Sequence, residues 1–126
     1  MTHSALNGDA LAGLLSFIPL FEQGLFREAS SQYVSTGHYS PPAEELLEKL
    51  RSAGLAEENF DWMGWIEQAR PYLQAPESIG SASLDQVAKL VALATTADRF
   101  NKSLFPHLCS SGVLYHLLLR IRALCP

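Results

Sequence analysis

Leu11, Leu14, Leu15 and Ile18 fall at the i, i+3, i+4, i+7 spacing of one helical face, which predicts an amphipathic helix entered through the capping candidates Asn7 and Asp9. Pro19 removes the amide that would bond to the Leu15 carbonyl, so this helix kinks or ends there, and Phe21, Leu25 and Phe26 remain to fill core. Between Arg27 and Tyr39 the periodicity is lost. Ser30, Ser31, Ser35, Thr36 and Gly37 predict a long connection over residues 27–39, either an irregular excursion or one small β-hairpin around Gln32-Tyr33-Val34. A connection of that length is uncommon in a small domain without a reason, which makes it a candidate binding surface as well.

Helical patterning resumes at Ser40-Pro41-Pro42, where a serine can cap and proline's missing amide costs nothing in the first turn. Leu46, Leu47 and Leu50 form the inner stripe, Glu45 and Lys49 a favourable i, i+4 pair outside, and Gly54 is placed to end the helix in a left-handed conformation. Asp61 is then predicted to cap a helix with Trp62, Trp65, Ile66, Ala69 and Leu73 on one face, its end bracketed by Pro71 and Pro76. Trp62, Trp65, Tyr72 and Phe100 are the expected core anchors, because large rings dominate packing. Ser83-Leu84-Asp85-Gln86 has the capping-box pattern. The helix it opens is apolar around most of its circumference, through Leu84, Val87, Leu90, Val91, Leu93 and Ala94, and is expected to be central. A short helix near Pro106, a break at Ser110-Ser111-Gly112 and a last stripe of Leu114, Leu117, Leu118, Ile121 and Leu124 complete the chain. The pattern predicts an all-α fold: one domain over residues 1–126, a compact bundle of five or six short helices with the excursion at 27–39.

Composition narrows the function classes. Nine basic against thirteen acidic residues give a net charge of -4 in 126 residues, so the chain is acidic and has no overall positive field to hold a phosphate backbone. Arg99, Lys102, Arg120 and Arg122 form the only basic cluster, which reads as solvated groups or salt-bridge partners. Cys109 and Cys125 lack the spacing of a disulfide framework or zinc knuckle and are expected to be reduced. The N-terminus has no basic region, and the apolar run from Leu14 to Phe21 holds a proline and is too short to cross a bilayer, so the expected location is the cytoplasm, without a membrane partner.

Candidate chemistry is sparse. Asp98 and Arg99 close the most apolar helix where the chain turns, and with His107, His116 and Arg120 they make a polar cluster that could hold a ligand or simply tie the turn to the last helix. His107, Cys109 and His116 offer too few ligands for a zinc site, with His3 and His38 in terminal or irregular segments, and no local motif that would activate a thiol. Glu44, Glu45 and Glu48, with Glu57 and Glu58 beyond, read as a solvated acidic face. Trp62, Trp65 and Tyr72 could line a ligand pocket, although their spacing favours core. Phosphate loops, a nucleophile elbow and a metalloprotease motif are absent. No catalytic residue, metal site or cofactor is assigned.

Phe60-Asp61-Trp62 with Trp65, Ala69 and Tyr72, Pro76-Glu77, the entry from Ala82 to Leu84, Asp98-Arg99-Phe100, Ser111-Gly112 and the stretch from Leu118 to Leu124 with Arg120 resemble a family of bacterial proteins of unknown function, domain family 6508. Phe17 to Phe21 and Tyr39-Ser40-Pro41 extend the likeness over most of the chain. The chain departs from the family pattern at Thr96, Lys102, Ser103 and Val113, where the resemblance implies that members often carry an arginine, a glutamate, a glycine and a polar residue. The resemblance implies no activity. The leading expectation is therefore a small non-enzymatic module that binds another protein as a regulator or inhibitor. Two alternatives stay open: a small-molecule binder or enzyme with a pocket near Asp98, Arg99, His107 and His116, and a homo-oligomeric structural element.

Overall fold

Prolines and left-handed glycines set most of the helix boundaries. In the computed structural model, which describes residues 8–55, 60–97, 99 and 101–124, helix α1 (Gly8–Leu15) stops ahead of Pro19, and α2 (Ile18–Glu22) takes that proline into its own first turn. Helix α4 (Pro41–Ser52) starts on its proline pair and is followed by Gly54 at φ +73°. Helix α7 (Leu104–Ser111) is separated from α8 (Val113–Leu124) by Gly112 alone, at φ +92°. The fold is all-α. Among the described residues there are eight α-helices and no strand, more helices than the expected five or six, because each proline or glycine break divides a longer apolar run.

The stretch at 27–39 is helical, which replaces the expected hairpin or irregular excursion. Helix α3 (Ala29–Thr36) buries only Ala29, so its sequence carries no apolar stripe. Its stability comes from tertiary contacts. Phe26 is buried just before it and stacks on Phe21 at 4.1 Å between ring centroids. The Ser110 hydroxyl on α7 accepts a hydrogen bond from the Ser30 amide (2.9 Å) and donates to the Phe26 carbonyl (3.3 Å). Gly37 ends the helix at φ +77°, its amide donating to the Tyr33 carbonyl. Packing on α7 thus overrides weak intrinsic propensity.

A second correction concerns residues 61–65. Asp61 does not cap a helix carrying both tryptophans; its carboxylate accepts the Gly64 amide (3.1 Å) and closes a turn. A Cβ on Gly64 would lie 2.5 Å from that carboxylate, so glycine is what allows the close turn. Helix α5 (Ile66–Gln74) begins after it and continues through Pro71, which deprives the Glu67 carbonyl of its partner but does not end the helix. Trp62, Trp65 and Tyr72 are half-buried at the rim of the core rather than at its centre, and Phe100 lies outside the described residues. The Trp65 ring meets Phe60 edge-on at 5.9 Å, and the Lys89 ammonium lies 6.0 Å from its centroid.

A 3-10 helix (Pro76–Ser81) leads to α6 (Leu84–Ala97), whose capping box forms as the sequence predicts. Ser83 Oγ accepts the Gln86 amide (3.2 Å) and Gln86 Oε1 accepts the Ser83 amide (2.9 Å). Leu90 to Thr95 are buried without interruption, and the one buried hydroxyl in this run, on Thr95, bonds to the Val91 carbonyl. Helix α8 touches the 3-10 helix and α1, α2, α6 and α7. Arg120 Nε on α8 donates to the Ala82 carbonyl (2.7 Å), and the exposed Tyr115 hydroxyl donates to Glu22 on α2 (2.9 Å). No helix of the described residues is long and apolar enough to cross a membrane.

Two stability effects follow from these contacts. Ser83→Ala removes one half of the capping box and is expected to destabilise the protein by about 1 kcal/mol, read as a lower thermal midpoint; an unchanged midpoint would contradict the cap. The hydrogen bond to Glu22, with lesser help from desolvation and the carboxylate's charge, holds the Tyr115 phenol above its ordinary pKa. A raised folded-state pKa means that the stabilisation is complete below the unfolded value near ~10 and disappears as pH rises through the folded one. The stability difference between the wild type and Tyr115→Phe should shrink on alkaline titration, and a constant difference would refute the link.

Candidate functional site

A depression of about 930 Å³ lies between the C-terminal end of α3, the Gly37–Ser40 connection and the outer face of α4. Its volume falls in the range of ligand-binding clefts, and it is open along its length. Helix periodicity builds one wall: Glu44, Leu47, Glu48 and Arg51 recur every three or four residues along α4, with Glu45 beside them and Pro41 and Pro42 at the entry. The opposite wall is Tyr33, Gly37, His38 and Tyr39, joined by Lys102 from the turn before α7.

Tyr39 is the keystone of the second wall. Its hydroxyl donates to the Lys102 carbonyl (2.8 Å), and its ring lies 5.6 Å from Tyr33 and 5.9 Å from Phe105, which is completely buried. The aromatic corner made by Tyr33 and Tyr39, with ring planes inclined by 51°, is therefore fixed from beneath by the core. On the other wall, Arg51 donates to the Thr95 carbonyl (3.2 Å) near the C-terminal end of α6, a position where helix carbonyls favour a cation. Glu44, Glu45 and Glu48 project to solvent, and none of the three carboxylates is paired with another described residue.

The polar cluster expected from the sequence is placed differently. Asp98 lies outside the described residues, as do His3, Asn7, Glu57, Glu58 and Cys125. Arg99 is exposed in the turn after α6, His107 is exposed on α7, and His116 is half-buried on α8 against the Tyr115 ring. Arg120 is engaged with the Ala82 carbonyl, a tie between the last helix and the entry to α6. None of Arg99, His107, His116 and Arg120 lines the large groove or the second, smaller depression of about 150 Å³ beneath Phe21, Arg27 and Tyr115. Cys109 is buried, and burial pushes its thiol pKa well up, away from the thiolate form that a nucleophile or metal ligand requires. Among the described residues, no three His, Cys, Asp or Glu side chains converge as a metal site would need.

Tyr33, Tyr39, His38 and Lys102 as a wall facing Glu44, Glu45 and Glu48 could not be assembled from sequence spacing. The signals present were the unexplained length of the 27–39 segment and the run of three carboxylates on one helix. What unites them is the long-range contact of Tyr39 with Lys102, 63 residues away.

The comparisons with curated proteins and with solved structures return no match. The sequence profile of a family of unknown function, DUF6508, matches residues 6–126, nearly the whole chain. The likeness carried by Phe60-Asp61-Trp62 and the later motifs is thereby confirmed, and the chain belongs to the family of unknown function DUF6508.

Proposed function

We propose that the chain is a small non-enzymatic interaction module which binds a short segment of a partner protein in the groove between α3 and α4. The observation that carries this reading is the groove itself: about 930 Å³ of open cleft with an aromatic corner on one side and a stripe of solvent-facing carboxylates on the other. An open cleft suits an extended or helical segment better than a small molecule, which needs most of its surface enclosed. The aromatic wall is already fixed by Phe105 and the Lys102 carbonyl, so little side-chain order remains to be imposed on binding. Occupancy of the cleft, rather than chemistry, is then how the protein acts, as a regulator or inhibitor of its partner. We place that action in the bacterial cytoplasm, in keeping with the family likeness and with a Cys109 that is buried and joined in no disulfide.

Selection from a random dodecapeptide library against the wild-type protein tests the proposal. Tyr33→Ala and Glu48→Arg, both in the groove, are expected to weaken the selected peptides on the order of tenfold or more, whereas Glu67→Arg on α5, 74% exposed and outside the groove, should leave them unchanged. Binders indifferent to both groove substitutions, or failure to select any binder, would overturn the reading. Self-association that buries the same residues would point to the homo-oligomeric alternative instead.

A further inference from the structure

We infer that the groove recognises a basic side chain, an arginine or lysine of the partner segment, seated between the Tyr33–Tyr39 corner and the carboxylates of α4; this inference depends on the groove being the binding site. Three observations converge on it. Glu44, Glu45 and Glu48 lie on the groove side of α4 and have no cationic partner among the described residues, so their charge is available to a ligand. The two tyrosine rings, 5.6 Å apart and inclined at 51°, line the same groove, and aromatic ring faces attract cations. Of the basic residues of the lining, Arg51 is held by the Thr95 carbonyl at the end of α6, and Lys102 enters from the opposite wall, at the turn whose carbonyl accepts the Tyr39 hydroxyl.

The carboxylates of the lining are gathered on α4 between Glu44 and Glu48, with Arg51 beyond them on the same helix and Lys102 on the opposite wall. A ligand that is cationic at one point and apolar beside it complements that layout, with the apolar neighbour covering Pro41, Pro42 and Leu47. An acidic segment would meet three like charges on entry. Arginine is the stronger fit of the two basic side chains, because its planar guanidinium stacks on a ring and offers paired donors to a carboxylate at once.

Capped pentapeptide pools with a fixed central residue and randomised flanks provide the test, read by amide chemical-shift changes on isotope-labelled protein. The central residue is arginine, citrulline as its neutral isostere, or glutamate. The arginine pool is expected to shift amides of the segment 33–48 and to bind on the order of tenfold more tightly than the citrulline pool. Glu44→Gln combined with Glu48→Gln should abolish that difference. Equal affinity of the arginine and citrulline pools, an arginine preference that survives the double substitution, or no arginine binding at all would overturn the inference. If the glutamate or citrulline pool occupies the groove while arginine does not, the cationic ligand is refuted and the interaction module stands; if no pool and no selected dodecapeptide binds there, both fall.

Discussion

Helix α6 has apolar residues on every side, and its run from Leu90 to Thr95 is buried without interruption. Water reaches this helix mainly along Asp85, Gln86 and Lys89 in its first half, so the remainder of the chain must enclose the run that follows. Helices α4, α7 and α8 pack directly on it, and α8 in turn gathers α1, α2 and the 3-10 helix around the same centre. The short lengths of the surrounding helices follow from that task, because wrapping a central rod within 126 residues requires frequent changes of direction. Pro19, Gly37, Gly54 and Gly112 sit at those changes.

Enclosure also accounts for where polar groups end. Polar side chains that bridge separate segments attach to backbone carbonyls left over at helix termini and turns: Arg120 to Ala82, Arg51 to Thr95, Tyr39 to Lys102. Each ties two distant segments with one charge or hydroxyl, and no fully buried side-chain polar atom of the described residues lacks a partner. Arg120, which stood out in the sequence, belongs to the scaffold, and Arg51, which did not, to the margin of the groove.

Local signals were legible where the physics is local. The Ser83–Gln86 capping box, the left-handed Gly54, the break at Gly112 and the all-round apolar α6 can be read from a few neighbouring residues, and each is present in the fold. Helix α3 was illegible because what holds it comes from Ser110, 80 residues away from Ser30. The tryptophans misled for a related reason: the Asp61 carboxylate prefers a tight turn with Gly64 to a helix start, and that choice moves both rings to the rim. Of the candidate site, the carboxylates of α4 were visible as a charge run, while their aromatic counterpart required the contact between Tyr39 and Lys102.

The Ser110 hydroxyl has a further implication for how the protein comes into being. A nascent chain emerges from its N-terminus, so residues 29–36 leave the ribosome long before α7 exists. Until that later segment arrives, the Phe26 carbonyl and the Ser30 amide lack the hydroxyl that joins them, and a helix of eight residues with such weak propensity has little to sustain it. The groove's second wall is consequently a late product of synthesis. A truncated or half-made chain would present the carboxylates of α4 without the aromatic corner opposite them.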